Sequence, residues 1–573
     1  MSTPLKSIEP PPPDDAAPRV LGLVVADLER AAIGTRSRLA ENIAGKAVLA
    51  EVVARLLQVR GVDEVLVLAP AGQMDRVWQL LGPLDRVQVR ALEPRPAAMD
   101  ARVRIGRAWN LLAWRGGAGQ WTVFDEEYHP AAIARAAAEA FGGRGAEHVL
   151  IVHSHGIFLN VEITSALVHH HLHKNHEMRV TFTPAAPGLS GMVLRADIVR
   201  EMGEKNVLPW QLLGYDPNSP IFDTLIREAC MQVDPALSKI PNRFCVDTDR
   251  SWAICKQLAA QSFGSVAQLC QAAARDIAPG AGDSPRVGIW PREVEMELSR
   301  SRLTHPTHLL GGLSSPGSAG DGRDAPLGIA HWSDWLARAN ACDDLLLTFG
   351  GQGDPLLYPA GLVEILRASR KTGALSICVQ TDLAGGDVDG LLSAIGEGLV
   401  DVVTVTMYGH SAPTYARVAG ADLHAEVLRN MGRLAKLTRG RGGVPLVIPR
   451  LLKVRDTIPE LEAFFDFWIE RCGWAVIDGP TDLAGAAEFR GVVDMAPPRR
   501  RPCRRIWNRM LIRPDGRATA CTEDVADKLA VGAIQNLTIP QLWAALQNLR
   551  DNHAAGQWNS IDPCKTCKEW YRA

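Results

Sequence analysis

The sequence predicts an α/β protein built in three parts. Strand-like and helix-like segments alternate over residues 18–275 and again over residues 285–495. Such alternation is typical of sheets whose parallel strands are joined by crossover helices. The last part, residues 496–573, is short and contains four cysteines at spacings that indicate a metal site. We therefore expect two α/β units followed by a small cysteine-rich domain.

Composition limits what this protein can be. Its 573 residues are too many for one ordinary core, and 47% hydrophobic against 22% charged residues is a globular balance. The net charge of −2 gives no overall field that favours nucleic acid, and no apolar run is long enough to span a membrane. We expect a cytoplasmic protein with a disordered proline-rich leader at residues 1–17 and a linker at residues 276–284.

The first α/β unit begins with the apolar strand "RVLGLVVADL". The segment "IGTRSRLAENIAGKAVLAEVVARLLQ" then runs a loop into a helix, and "GVDEVLVLAP" is the next strand. Glycine backbone donors and positive charge in the loop can hold a triphosphate. The candidate binding residues there are Gly34, Thr35, Arg36, Arg38 and Lys46. This unit is accordingly predicted to bind a nucleotide.

The second α/β unit is predicted to be a parallel sheet or partial barrel. Its strands are expected in "VEMEL", "DLLLTFGG", "ALSICVQT", "DVVTVTMYG" and "VPLVIPRLL", with helices such as "PAGLVEILRASRKTG" between them. Sites in such folds lie at the carboxyl ends of the strands. The strand end "GGQGDP" offers backbone donors for a carboxylate, a phosphate or a cofactor, at Gly350, Gly351, Gly353 and Asp354.

The cysteine-rich tail carries the firmest sign of chemistry. Cys564 and Cys567 form a Cys-x2-Cys pair, which presents two thiolates from one turn, and Cys503 and Cys521 flank the predicted hairpin "RMLIRPDGRATAC". Four soft ligands suit a four-iron cluster or a zinc ion, and free thiols remain the third alternative. Zinc ribbons usually contain two Cys-x2-Cys pairs, whereas this tail contains one.

The tail segments "WNRMLIRPDGRATAC" and "DPCKTC" resemble the SPASM or twitch extension of radical S-adenosylmethionine enzymes. That resemblance implies an auxiliary [4Fe-4S] cluster held by the four tail cysteines. The segment "LTFGGQGDPLLYPAGLVEILRASRKTG" resembles the glycine-rich strand end of the radical S-adenosylmethionine core, which approaches the methionyl amino group of the cofactor. The second unit is thereby expected to be a partial (β/α) barrel of that type.

The chain departs from that family at the principal cluster. After "VEMEL" the family has a Cys-x3-Cys-x2-Cys motif, whose three thiolates leave one iron open for S-adenosylmethionine. Arg302, Pro306 and Leu309 align best with those cysteines, and the motif occurs nowhere in the chain. Without it, reductive cleavage of the cofactor has no electron donor. The resemblance with this departure implies a degenerate barrel and a single cluster, in the tail.

The first unit resembles GT-A nucleotidyltransferases, especially the cytidylyltransferase-like group that acts on acidic sugars. Its loop residues and "IAGKAVLAEVVARL" carry the resemblance, which implies a GT-A or Rossmann-like fold and binding of a nucleotide with Mg2+. In "AEHVLIVHSHGIFLNVEITSALV", however, His155 stands where the family has a magnesium-binding aspartate. Histidine is a poor ligand for this hard cation.

Three functions follow as hypotheses. The first is a radical S-adenosylmethionine/SPASM-like iron-sulfur protein without radical initiation, whose first unit binds a nucleotide or nucleotide-sugar. The second is a nucleotidyltransferase of surface-glycan synthesis with regulatory C-terminal domains, and the third is a non-catalytic scaffold. The expected partners are a nucleotide or nucleotide-sugar and a protein or peptide, with no nucleic acid.

Overall fold

The architecture is taken from a computed structural model of the chain. It describes residues 18–110, 124–173, 179–213, 229–238, 243–275, 290–306, 325–339, 343–503 and 505–572. The predicted leader, the predicted linker and the aligned position Leu309 lie outside these residues. No helix in the described parts is long and apolar enough to cross a membrane.

The first unit is built on a six-stranded sheet in the order β5-β4-β1-β6-β8-β7. Its strands are β1 (Val20–Val25), β4 (Glu64–Ala69), β5 (Val87–Ala91), β6 (His148–Ile151), β7 (Val180–Thr181) and β8 (Met192–Arg195). Strand β1 pairs in parallel with β4 and β6, whereas β8 pairs antiparallel with β6. All six residues of β1 are buried, as its unbroken apolar run requires of a central strand. A separate hairpin, β2 (Asn42–Ile43) and β3 (Lys46–Ala47), precedes the first helix.

The second sheet has nine strands in the order β14-β13-β12-β11-β10-β9-β15-β16-β17. Its strands are β9 (Glu293–Met296), β10 (Leu346–Phe349), β11 (Ser376–Thr381), β12 (Val402–Met407), β13 (Leu446–Leu452), β14 (Val476–Asp478), β15 (Arg509–Ile512), β16 (Arg517–Thr519) and β17 (Gly532–Ala533). Strands β9 to β14 are parallel, and β15 pairs in parallel with β9. The tail hairpin β15–β16, predicted from "RMLIRPDGRATAC", therefore continues the sheet of the barrel.

Helices cover both sheets. In the first unit they are α1 (Val48–Leu56), α2 (Met74–Leu81), α3 (Ala97–Asn110), α4 (Pro130–Gly143), α5 (Val161–His173), α6 (Ala196–Lys205), α7 (Pro209–Leu213), α8 (Pro235–Ser238), α9 (Asp249–Ala259) and α10 (Val266–Arg275). In the second unit and the tail they are α11 (Ile329–Ala337), α12 (Val363–Lys371), α13 (Val388–Gly396), α14 (Ala412–Ala419), α15 (His424–Gly440), α16 (Leu461–Cys472), α17 (Ile539–Ala545) and α18 (Gln547–Ala554). The amphipathic segment "TIPQLWAALQNLR" spans α17 and the start of α18.

The two units share a hydrophobic interface. Leu21 and Leu23 of β1 belong to the same buried cluster as Val402 of β12 and Leu446 of β13. Trp210 of the first unit stacks on the second unit's Trp474. The predicted α/β fold class, with two mainly parallel sheets and a cysteine-rich tail, is confirmed. The predicted domain boundaries remain predictions, because the apolar core is continuous across the interface.

Candidate functional site

The four tail cysteines come from three separate segments. Cys503 precedes a short 3-10 turn, Cys521 follows the hairpin strand β16, and Cys564 and Cys567 lie in one turn near the C-terminus. The side chains of Cys503 and Cys564 are buried, and those of Cys521 and Cys567 are half-buried. The fold thus brings together residues that are up to 64 positions apart along the chain, from Cys503 to Cys567.

Burial and nearby thiols raise the pKa values of these cysteines. Burial and the nearby Cys503 together raise the pKa of Cys564 to about 12. Burial, Glu523 and Cys503 likewise raise the pKa of Cys567 to about 12. Burial, Glu523, Cys503 and Cys567 also raise the pKa of Cys521. Thiolates at this place therefore require a compensating cation, which a metal or an iron-sulfur core supplies.

A buried arginine lies beside the cysteines. The Nη1 atom of Arg505 is 3.0 Å from Oε1 of Glu523, and its Nη2 atom is 3.9 Å from Oε2 of Glu569. The charge of Arg505 opposes the effect of burial on the pKa of Cys503. Across the described residues, no three or more His, Cys, Asp or Glu side chains form a group that could hold a single metal ion. The ligand set of the tail therefore remains a prediction.

A buried ion pair occupies the region predicted to lack the principal cluster. Arg302 donates from Nη1 to Oδ1 of Asp382 at 2.6 Å, and the hydroxyl of Tyr408 donates to the same oxygen at 3.0 Å. Thr304 donates to the other oxygen of Asp382 at 2.5 Å. Burial opposes the charge of Arg302, but Asp382 and Tyr408 raise its pKa. Arg302, which aligns with the first cysteine of the family motif, is thus a cation whose charge other side chains of the protein neutralise.

Pro306, aligned with the second family cysteine, is buried and contributes no donor atom. The same network reaches the glycine-rich strand end, because Arg302 donates to the carbonyl oxygens of Gln352 and Gly353. The side chains of the protein therefore satisfy one another where the family resemblance places three thiolates. This set of residues does not fit a principal iron-sulfur cluster.

The glycine-rich strand end contacts the protein's own β9 segment. The backbone N–H groups of Gln352 and Gly353 donate to Oε1 of Glu297, at 2.7 and 3.2 Å. A Cβ atom on Gly353 would lie 1.7 Å from the carbonyl oxygen of Ser299, and one on Gly351 would lie 2.9 Å from Glu297. These glycines permit a close approach of two chain segments. Of the backbone donors proposed for a cofactor, that of Gly353 is engaged by this carboxylate, and that of Gly350 donates to the carbonyl oxygen of Met296 at 3.1 Å.

Asp354, the last candidate residue of this strand end, is also engaged internally. Its Oδ1 atom accepts from the N–H of Leu356 at 3.0 Å, and its Oδ2 atom accepts from Thr381 and from the N–H of Asp382, both at 2.9 Å. Burial and the charge of Asp382 raise the pKa of Asp354 to about 6. Gly350 packs against Gln380, and a Cβ atom there would lie 2.8 Å from its Oε1 atom.

The candidate binding residues in the loop of the first unit lie in different surroundings. Thr35 donates to the carbonyl oxygen of Asp247, and Arg36 is exposed and pairs with Glu41. Lys46 is 64% exposed, and it lines a cavity of about 430 Å³ between the β2–β3 hairpin and α10. Lys46 therefore lies apart from Arg30 and Arg104, which line a different cavity of about 90 Å³.

Arg38 instead connects the two units. Its side chain is only 1% exposed and donates to Asp249 of α9 at 2.6 Å and to Asp343 of the second unit at 3.0 Å. Burial lowers the pKa of Arg38, but these two carboxylates outweigh it and raise the pKa overall. Arg250 makes a parallel connection to Asp344 at 2.8 Å. The loop predicted to bind phosphate is thus fixed to the barrel.

A small polar cavity of about 90 Å³ lies at the carboxyl ends of β1 and β6. Its lining includes Asp27, Arg30, Arg104, Glu127, Ser154 and His155. A Cβ atom on Gly34, whose φ is +98°, would lie 3.4 Å from Arg104 and 3.7 Å from Arg30. Gly34 therefore lies against two arginines that line this cavity, and Asp100, also in the lining, pairs with Arg104 at 3.1 Å and with Arg30 at 3.9 Å.

His155 is held by hydroxyl groups. Its Nε2 atom is 3.3 Å from Oγ of Ser37, and its Nδ1 atom is 3.1 Å from Oγ of Ser154. Burial lowers the pKa of His155 to about 3, so the ring is neutral at physiological pH. Both ring nitrogens have partners within the protein, and His155 supplies no carboxylate oxygen to Mg2+.

Sequence reasoning missed the acidic segment that lies beneath this cavity. Glu126 pairs with Arg107 at 2.8 Å and with Arg243 at 3.1 Å, and Glu127 accepts from Ser154. Burial opposes ionisation of Glu126, but the two arginines lower its pKa well below the usual range. Burial raises the pKa of Glu127. The run "FDEEYH" could have indicated this segment. Consecutive acidic residues between apolar segments are rarely buried unless other side chains pair with them.

A family comparison decides the identity of the tail. Residues 503–568 match the SPASM model, an iron-sulfur cluster-binding domain. The predicted resemblance of the tail is thereby confirmed, and all four candidate cysteines lie within the matched SPASM residues. The match covers the tail and leaves the rest of the chain to other comparisons.

One curated relative and several solved structures are similar to other parts of the chain. An uncharacterized protein of Treponema pallidum (strain Nichols) is 27% identical over 233 residues, or 38% of this chain. The match spans 62% of that relative, which is less than two thirds of its length.

Several solved structures are similar to parts of the chain at low sequence identity. BtrN in complex with AdoMet and 2-DOIA is 15% identical, covering 48% of this chain and 92% of its own, with a TM-score of 0.33. The AdoMet-bound anSMEcpe is 15% identical over 48% of this chain and 84% of its own, with a TM-score of 0.35. A cytidylyltransferase of Leptospira borgpetersenii is 10% identical over 45% and 95%, with a TM-score of 0.30.

Proposed function

We propose that this chain is a radical S-adenosylmethionine/SPASM-like iron-sulfur protein that does not initiate radicals. Its tail would hold one [4Fe-4S] cluster through Cys503, Cys521, Cys564 and Cys567. The observation that carries this proposal is the Arg302–Asp382 ion pair, which fills the place of the principal cluster with a charge-balanced protein network. A cluster with four protein ligands has no open iron, so its chemistry is electron handling or structural support.

The residues around the tail fit such a cluster. The four thiols come from three segments, and the thiol of Cys503 raises the pKa of each of the other three. A bound cluster would supply positive charge and one-electron redox chemistry. The guanidinium cation of Arg505 lies beside Cys503 and Cys521 and pairs with Glu523. Its positive charge limits the negative charge of the site. The basic side chain and the buried thiols therefore lower the cost of placing an anionic cluster there.

The single-cluster proposal is tested by anaerobic expression followed by iron and sulfide analysis. We expect about four irons per chain and a cluster absorbance. Cys564→Ser should lose most of both, whereas the matched control Cys472→Ser, in α16 outside the tail, should keep both. Stoichiometric zinc in the wild-type protein would contradict the proposal.

The absence of radical initiation is tested separately. Reconstituted protein, dithionite and S-adenosylmethionine are incubated together, and 5′-deoxyadenosine is measured by chromatography. We expect none above a control that lacks protein, because Arg302 and Pro306 provide no thiolate at the barrel site. Turnover of the cofactor by the wild-type chain would overturn this part of the proposal while leaving the tail cluster intact.

The first unit, in this proposal, binds a nucleotide or nucleotide-sugar with Mg2+. Its support is the small cavity where Gly34, Arg30 and Arg104 meet the buried acids, since guanidinium groups and loop N–H donors suit phosphate. Nucleotide transfer in surface-glycan synthesis is the second candidate function, favoured by Asp27 and Glu127 as oxygen donors in the same cavity.

A thermal-shift screen with CTP, other nucleoside triphosphates and nucleotide-sugars, each with and without Mg2+, tests this site. A ligand at 100 times its Kd should stabilise the protein by about 2.7 kcal/mol. Arg104→Ala should weaken the shift, and Arg76→Ala, on the exposed face of α2, should not. If no compound shifts the wild-type protein, the scaffold hypothesis alone remains for this unit.

A further inference from the structure

A third cavity, of about 280 Å³, lies between the two units. Its walls come from α3, from α7 and the residues just before it, and from Gly442 in the loop that joins α15 to β13 of the second unit. The described lining is mostly apolar and includes Met99, Leu208 and Trp210. Arg102 is the one charged residue of that lining.

Arg102 has no carboxylate to balance its charge. Its Nε atom is buried without a hydrogen-bond partner, and none of the described carboxylates pairs with its guanidinium group. Burial lowers the pKa of Arg102, and no neighbouring charge raises it. A partly buried cation without a partner raises the free energy of the folded state, so this position favours an added anion.

The two other arginines of α3 are paired within the protein. Arg104 donates to Asp100 at 3.1 Å, and Arg107 donates to Glu126 at 2.8 Å. Helical residues two positions apart lie on nearly opposite faces, so Arg102 is directed away from Arg104.

Arg102 instead faces the second unit. A Cβ atom on Gly443, whose φ is +82°, would lie 3.2 Å from both Cδ and Nε of Arg102. The unpaired cation therefore lies at the interface between the two units, next to the loop that closes the cavity.

The chemistry of the lining selects a small anion with an apolar body. The planar fork of N–H donors on a guanidinium group matches a carboxylate or a phosphate. One guanidinium balances one negative charge, which favours a carboxylate over a phosphate group of nearly two charges. The apolar walls would bury the rest of the ligand, and a volume close to the lower end of the range for ligand pockets, about 300 Å³, restricts its size.

We infer that this cavity binds a small monocarboxylate whose carboxyl group pairs with Arg102. The inference is independent of the tail cluster and of the nucleotide site, since the arginine of α3 that lines the nucleotide cavity, Arg104, lies on the other face of the helix. Because Arg102 belongs to the first unit and Gly442 to the second, the bound carboxylate contacts both units and stabilises their interface.

Fluorine NMR on the full-length protein tests the inference with 4-fluorobenzoate, a carboxylate on an apolar ring. We expect saturable line broadening that yields a Kd, and weaker competition from acetate, which lacks an apolar body. The uncharged 4-fluorobenzamide should bind about tenfold more weakly or worse, because it forms no charge-assisted pair. Arg102→Met should weaken binding of 4-fluorobenzoate by a similar factor. Met99→Trp keeps the cation but fills the cavity, so it should also lose binding.

Arg441→Met is the matched control. Arg441 lies one residue before Gly442 and donates to the carbonyl oxygen of Gly396 at 2.9 Å, so its loss should leave binding unchanged. Without ligand, Arg102→Met should unfold at the same urea concentration as the wild type or at a higher one, because an unpaired cation is removed.

Equal affinity of the wild type and Arg102→Met for 4-fluorobenzoate, or of the wild type for the acid and the amide, would overturn the inference. So would failure of the wild type to bind 4-fluorobenzoate, or a clear loss of stability in ligand-free Arg102→Met. Inorganic phosphate that displaces the probe at a lower concentration than acetate does would overturn the assignment of a carboxylate.

Discussion

The tail hairpin continues the sheet of the barrel, yet the charges near the tail cysteines and those at the barrel's strand ends are balanced in different ways. In the barrel, Asp382 is neutralised by Arg302 and by the hydroxyls of Thr304 and Tyr408. In the tail, burial and Cys503 raise the pKa values of the other three cysteines, and Arg505 pairs with Glu523 and lies near Glu569. The barrel site is complete with protein atoms alone, whereas thiolates in the tail need an added cation. In the barrel, the fold itself supplies the charge that a cofactor would otherwise supply, and in this sense the barrel site is degenerate.

Breaking the barrel's internal charge balance should have the largest effect. Arg302→Met leaves Asp382 buried without its cation, so the free energy of unfolding is expected to fall by about 3–5 kcal/mol in urea denaturation. Arg302→Met/Asp382→Leu should recover much of this loss, because both charges are removed together. Arg367→Met, in an exposed ion pair with Glu397, is the control and should change little. A single variant as stable as wild type would contradict the proposed balance.

The pH dependence of Asp354 tests the same network. Its pKa in the folded protein is raised from 3.8 to about 6, so the folded state holds a proton that the unfolded state has lost between these values. Stability should therefore fall as pH rises from about 4 to 6, by about 3 kcal/mol from this group. Asp354→Asn should show a flatter pH dependence of the free energy of unfolding, and the exposed Asp389→Asn should keep the wild-type slope. If the free energy of unfolding had the same slope against pH in both variants, Asp354 would not belong to this network.

The smallest expected effect is at Tyr408. Tyr408→Phe removes one hydrogen bond to Asp382 and should cost about 1 kcal/mol of unfolding free energy. In the Arg302→Met background the cost should be larger, because the hydroxyl then gives Asp382 one of its few remaining partners. A double-mutant cycle measures this coupling. Additive costs would mean that Tyr408 and Arg302 act independently.

Particular residues show how far the sequence led. The sequence predicts Cys503, Cys521, Cys564 and Cys567 as a ligand set, because thiolate spacing and a turn sequence are local signals. Strand β1 and the β15–β16 hairpin followed from apolar runs and turn chemistry for the same reason. Arg38 was expected to bind phosphate, but it pairs with Asp343, which lies 305 positions away. A pattern of neighbouring residues cannot predict a pairing across so many positions.

The sequence by itself determined the two alternating α/β units, the cysteine-rich tail and the loss of the principal cluster motif, because periodicity and ligand spacing are written in neighbouring residues. Only the tertiary structure decided what balances each charge. It placed Arg302 against Asp382, Glu297 against the glycine-rich N–H donors, and the tail hairpin beside β9. These pairings depend on burial and on contacts between distant segments, since the cost of a buried charge is set by whatever partner the fold brings to it.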